Sequence, residues 1–288
     1  MTSGANRSVV VGIDGSEQAE DASAWAVDEA LRRGACLRLV YVIRTDLTGP
    51  LTADEYRSAL DDAKEALHSA RAAIGRTGRS VEVHTSIAQG SPSGVLLAES
   101  ADAELICLGA SGMGRIGRVI LGSTAAAVAE RAECAVMIAP APHACADRAE
   151  NWVIVPVNVY TEYGSDVVED AIAEARLRNW PVLAVGVRHP RLGATPYDAV
   201  DDIVSEWQCR FPDVHVYPVA TDAGLRSFLH DNPDVGGLVV VDSVSAADVA
   251  AIVGSEHSGR APVAERAVLV VHRQRSSSQL AEADSARC

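Results

Sequence analysis

The chain has 288 residues, 48% of them hydrophobic, and a formal charge of −14, which suits two domains that each bury a core. That charge argues against a general nucleic-acid or anionic-membrane surface, which needs a basic footprint, and no apolar run approaches the roughly 18 residues that span a bilayer. The six cysteines include no CxxC pair and the eight histidines no HExxH spacing, so neither a disulfide framework nor a zinc site is indicated.

Met1 to Ser8 is short and polar, without the apolar centre of a signal peptide, so a soluble globular chain that stays in the cytoplasm is expected. Ser8 to Asp14 is a continuous apolar run that reads as a strand covered on both faces. Ser16 then caps a helix whose Ala19, Ala22, Ala26 and Ala30 share one face and which Gly34 closes. Cys36 to Val42 reads as the second strand, and Cys36 and Cys107 as reduced, buried thiols. After a loop, Thr52 and Glu55 form a capping box, and Tyr56, Leu60, Ala63, Leu67, Ala70 and Ile74 follow as one helical stripe facing a core. Val81, Val83, Thr85 and Ile87 alternate with polar residues, the pattern of a half-exposed strand at a sheet edge. Gln89 to Pro92 turns into a short helix through Ala101, and Leu105 to Leu108 is the fourth strand. A glycine loop leads into a helix from Ser123 to Arg131, and Ala135 to Ala139 is the fifth strand. Strands alternating with helices in this way predict a doubly wound α/β unit with a parallel sheet and helices on both faces.

Residues 141–151 read as a linker, and a second series begins at Trp152. Trp152 to Asn158 lies on Ser8 to Asp14, Leu238 to Val241 on Leu105 to Leu108, Gly254-Ser255 on Gly122-Ser123, and Ala267 to Val271 on Ala135 to Ala139. Between these anchors come helix Asp166 to Arg178, strand Val182 to Val187, helix Tyr197 to Arg210, strand Val214 to Pro218 and helix Gly224 to Asp231. The nearly constant offset implies an internal duplication, with domains at 1–140 and 152–273 and a polar tail at 274–288 that is expected to be disordered. The copies differ where chemistry would sit. Gly12 becomes Pro156, Asp14 becomes Asn158, Gly109 becomes Asp242 and Gly112 falls near Ser245, so the second copy is expected to lack an equivalent site.

The chemistry concentrates in Leu105 to Thr124, where a strand ends in Gly109, Gly112, Gly114 and Gly117 follow, and Gly122-Ser123-Thr124 opens a helix. Backbone N–H groups freed by glycines, together with those of a helix's first turn, suit a phosphate. A loop whose glycines serve only turns is the plain alternative. Gly112-x-Gly114-x-x-Gly117 matches a dinucleotide fingerprint formally but follows the fourth strand where that fingerprint follows the first. A Walker loop is excluded, because Arg115-Ile116 stands where Lys-Ser/Thr is required and the sole lysine, Lys64, lies on a distant helix.

The spacing Gly109-x2-Gly112-x9-Gly122-Ser123, with Asp14 after the first strand and the Gly90-x-Pro92 turn after the third, resembles the nucleotide-binding signature of the universal stress protein family. The chain looks like a tandem member, with the motif intact only in the first copy. The resemblance implies a five-stranded parallel sheet of order 3-2-1-4-5 in each domain, and ATP as ligand in the first. It places Asp14, with Gly12 and Ile13 before it, on the ribose or adenine side and the backbone around Val42 against adenine. Gly109, Ala110, Ser111, Gly112, Met113, Gly114 and Arg115 would approach the phosphates, and Gly122, Ser123 and Thr124 would hold them at the helix start. Mg2+ is a candidate companion ion, and Arg115 and Arg118 either offset phosphate charge or stay solvated. No general base is recognisable, so a nucleotide-sensing module with at most slow hydrolysis is expected. Cyclic AMP as the ligand, or a nucleotide-free scaffold, stands as an alternative. In relatives the fifth strands pair two domains, which implies an intrachain pseudo-dimer, and a homodimer or an unnamed protein partner remains open.

Overall fold

The computed structural model describes residues 7–45, 51–110, 121–139, 151–157, 166–187, 196–221, 224–232, 234–242, 249, 252 and 266–272. In the first half, strands β1 (Ser8–Ile13), β2 (Cys36–Arg44), β3 (Val83–Gly90), β4 (Leu105–Gly109) and β5 (Ala135–Ala139) alternate with helices α1 (Glu17–Arg33), α2 (Ala53–Arg76), α3 (Pro92–Glu99) and α4 (Ser123–Arg131). The second half repeats the order with β6 (Asn151–Val157), α5 (Asp166–Arg178), β7 (Val182–Val187), α6 (Pro196–Arg210), β8 (Val216–Thr221), α7 (Gly224–Asp231), β9 (Gly236–Asp242) and β10 (Ala267–Val271). The strands form one ten-stranded sheet, ordered β3-β2-β1-β4-β5-β10-β9-β6-β7-β8. Each half therefore has the order 3-2-1-4-5. Neighbours within a half run parallel, while β5 and β10 pair antiparallel through Val136, Met137 and Ile138 opposite Val270, Leu269 and Val268.

Central strands buried on both faces explain the apolar runs: Val9, Val11, Leu105 and Cys107 point to one core, and Val10, Ile106 and Val136 to the other. Both cores continue across the β5–β10 seam, with Leu269 and Val271 joining the first and Val268 and Val270 the second. The small-residue face of α1, with Ala22, Ala26 and Ala30 fully buried, lets that helix lie close to β1 and β4. Ser16 caps it by accepting from the Ala19 N–H at 3.2 Å, and Gly34 ends it in the left-handed conformation.

Differences from the sequence reading fall at element ends. Helix α2 has the predicted Thr52–Glu55 capping box, but Tyr56 is 37% exposed, so the apolar stripe reaches the core only from Ala63 onward. Strand β3 begins at Val83, where pairing with Leu37 starts, and runs through Gln89 and Gly90. It is an edge strand. Strand β8 is displaced likewise, pairing from Val216 opposite Val182 through Thr221, with Pro218 tolerated because the strand is the other edge. Cys107 is buried as predicted, whereas Cys36 is only half-buried. Among the described residues, no helix is long and apolar enough to cross a membrane.

Candidate functional site

The order of the first half reverses between β1 and β4, and at such a point the connections diverge to opposite faces and leave a crevice at the strands' C-terminal ends. Gly12, Ile13 and Asp14 come to that crevice from β1, and Gly109 and Ala110 from β4, held side by side by the pairing of Val11 with Cys107. Tyr41 is the last β2 residue paired with β1, opposite Ile13, so Val42 extends beyond the end of β1. The Gly122 N–H donates to the Ala110 carbonyl at 2.9 Å, which brings the start of α4 to the same crevice. Ser123 and Thr124 form the first turn there. The structure thus brings together Gly12, Ile13, Asp14, Val42, Gly109, Ala110, Gly122, Ser123 and Thr124. Ser111, Gly112, Met113, Gly114 and Arg115 lie outside the described residues, as do Arg118, Asn158 and Gly254-Ser255.

Three local features set the site's chemistry. First, α1, α2 and α3 are each capped by a side chain, from Ser16, Thr52 and Ser91, whereas α4 begins at Gly122 with no side-chain cap. Among the described residues no side chain caps its first-turn N–H groups, which favour an anion. Second, a Cβ on Gly109 would stand 2.8 Å from the Gln18 carbonyl oxygen and 2.9 Å from the Gln18 Cβ, so glycine here lets β4 end against the first turn of α1. Third, Asp14 is fixed: its Oδ1 accepts from the Ser16 N–H at 3.0 Å and the Ser16 hydroxyl at 2.6 Å. Asp14 is thus a turn residue as well as a candidate ligand contact.

Two residues that sequence reasoning passed over belong to the site. Gln18 forms the wall that Gly109 meets. Tyr41 pairs with Ile13 next to Asp14, and its hydroxyl is pushed to a higher pKa by burial and then by the Asp62 and Asp14 carboxylates. The one available signal was strand alternation, which sets Tyr41 on the face opposite its neighbours Val40 and Val42.

The second half differs at the corresponding end. Asp242 closes β9 opposite Val271, and His272 follows at the end of β10. The His272 Nε2 is buried without a partner among the described residues, and burial pushes the ring's pKa below 6.5 despite the Ala129 backbone of α4 and the Asp242 carboxylate, which both favour the charged form. A base with a lowered folded pKa contributes stability that is complete above its unfolded value and is lost as pH falls through the folded one. Denaturant midpoints of the wild-type chain are therefore expected to fall more steeply below pH 6.5 than those of His272→Gln. Parallel titrations of the two proteins check this.

Comparison with known proteins agrees with the fold. The universal stress protein family model matches residues 5–140. Universal stress protein Rv2624c of Mycobacterium tuberculosis is 38% identical over 269 residues, covering 93% of this chain and 97% of the relative. Universal stress protein Rv2028c of the same organism is 34% identical over 270 residues, covering 93% and 96%. Among solved structures, a universal stress protein from Archaeoglobus fulgidus superimposes with a TM-score of 0.70 over 94% of this chain and 98% of its own, at 13% identity, a likeness of fold. With relatives this similar along nearly the whole length of both chains, the chain belongs to the universal stress protein family.

Proposed function

We propose that the first half binds ATP at the β1/β4 crevice and that the chain acts as a nucleotide-dependent module in a stress response or in signalling. The observation that carries this reading is the uncapped start of α4 at Gly122, tied to Ala110 and facing the crevice beside Gly109. Phosphates would lie against the first turn of α4, with the ribose toward Asp14 and adenine along the backbone at Val42. Bound ATP supplies the chain with a charged, exchangeable ligand, and Mg2+ would enter on its phosphates. Asp14 is held by Ser16 on one oxygen, which suits a fixed contact better than a proton shuttle. The site therefore favours binding over turnover.

The second half keeps the fold and replaces the glycine of the crevice with Asp242, whose carboxylate would repel a phosphate. Its β10 occupies the antiparallel edge of β5, so this seam is used within one chain. Acid extraction of the purified protein followed by mass spectrometry, with calorimetric titration of ATP, tests the proposal. One ATP per chain is expected, and Asp14→Ala is expected to weaken binding about tenfold through loss of a charged hydrogen-bond partner. Two nucleotides per chain, or none at millimolar ATP, would overturn it, and displacement of ATP by a tighter-binding cyclic AMP would favour that ligand.

A further inference from the structure

Away from the crevice, the C-terminal parts of α1 and α5 meet beside the β5–β10 seam, and each contributes a Glu-x3-Arg pair. Glu29 pairs with Arg33 within α1, and Glu174 with Arg178 within α5. Each arginine also crosses to the other helix: Arg33 reaches Glu174, and Arg178 Nη2 donates to Glu29 Oε1 at 2.5 Å. Four groups thus close a ring of alternating charge. The side chains of Glu29 and Arg178 have no solvent exposure, and those of Arg33 and Glu174 only 6% and 7%. The Arg178 guanidinium also lies near the Trp25 and Trp180 rings, at 5.9 and 5.7 Å from their centroids.

The same step along the sequence separates Glu29 from Glu174 and Arg33 from Arg178, so the ring is two-fold symmetric in chemistry and astride the seam. An apolar patch of similar volume would hold two helices together at least as well, because burying four charges carries a large desolvation cost. What the ring adds is selectivity. Arg32 also reaches Glu29 at 3.2 Å and Arg33 comes within 4.0 Å of Glu104, so α1 has outer partners of its own. Only a face that sets arginine against glutamate and glutamate against arginine at this spacing can close the ring, however, and any other approach costs the buried Arg178 and Glu174 their partners across the seam.

We propose that the Glu29–Arg33–Glu174–Arg178 ring is the recognition code by which the two halves select each other and fix the register of the β5–β10 seam. The face is self-complementary, as a symmetric contact requires, and covalent linkage makes the other half of the same chain its partner through raised effective concentration.

Charge exchange in the full chain tests this. Glu29→Arg with Arg33→Glu keeps an opposite-charge pair within α1 but sets like charges against α5. Glu174→Arg with Arg178→Glu does the same from the other side. All four changes together restore the alternation, and the reference protein and every variant carry Arg32→Gln and Glu104→Gln so that neither of these outer charges faces a like one at position 29 or 33. Amide hydrogen exchange at Val136–Ile138 and the denaturant midpoint report the seam. Each one-helix exchange is expected to speed seam exchange by about tenfold or more and to lower the midpoint. The four-residue exchange is expected to return seam exchange to within about threefold of the reference. A four-residue variant as damaged as the one-helix variants, including one that fails to fold, overturns the proposal. One-helix variants indistinguishable from the reference overturn it as well.

Discussion

Arg178→Ala is expected to destabilise the chain by about 3–5 kcal/mol, the scale for removing one partner from a buried ion pair. Arg178 serves both carboxylates, Glu29 and Glu174, and its side chain is fully buried. Its loss leaves two negative groups in one dry space with Arg33 as their remaining buried cation. The expected response to pH identifies the cause. Burial pushes the Glu174 carboxyl up even with Arg178 and Arg33 holding it down, and removing Arg178 takes away one of those restraints. An acid with a raised folded pKa favours the fold fully below its unfolded value, and that contribution is lost as pH rises through the folded one. The deficit of Arg178→Ala relative to wild type should therefore be largest at neutral pH and shrink as pH falls toward the ordinary carboxyl value of 4.5. Urea denaturation of both proteins at several pH values measures that difference, in which any contribution of His272 cancels. A deficit independent of pH would assign the loss to packing against Trp25 and Trp180 instead.

The ring also shows where sequence reading stops. Glu-x3-Arg on a helix is ordinarily a solvated pair, and nothing local to α1 announces that Glu29 is buried, because its cover comes from Arg178 in the other half. The recurrence of the pair in α5 was the one available signal. By contrast, α2 was legible from its capping box and α4 from Gly122-Ser123, since caps act within a turn of the residues that make them. The parallel sheet followed from alternating strands and helices and the strand order from the family resemblance alone, but β3 and β8 were displaced at their ends. Alternation starts with side-chain facing, whereas a strand starts where a neighbour pairs, as Val83 does with Leu37. At the crevice, the glycines were visible as spacing, and the wall they meet was not. Gln18 belongs to no repeat or motif that would single it out, and only folding sets it against Gly109.

Gly109→Ala is expected to weaken nucleotide binding about a hundredfold while leaving the chain folded. The added Cβ meets the Gln18 carbonyl oxygen at 2.8 Å and the Gln18 carbonyl carbon at 3.0 Å. These are backbone atoms, so no rotamer change relieves the contact, and either α1 or the end of β4 must move. Relief of such overpacking costs about 1–3 kcal/mol, small enough for a chain with two extensive cores to absorb. The displacement falls on the crevice itself, because the first turn of α1 carries the Asp14–Ser16 contact and β4 leads into Ala110, which holds Gly122. A ligand that needs Asp14 on one side and the start of α4 on the other would meet both out of place. Loss of about 3 kcal/mol of binding, a change of roughly a hundredfold in Kd, is the expected result in calorimetric titration with ATP. The second half supplies an internal comparison, since the corresponding residue is Asp242, which closes β9 without disrupting the strand. The fold therefore tolerates a side chain at this strand end in the second half. In the first half the helix is built to come close, and that closeness is what a phosphate-sized ligand would use. If Gly109→Ala bound ATP as tightly as wild type, the phosphates would have to lie elsewhere, and the role assigned to the β4–α4 corner would fail.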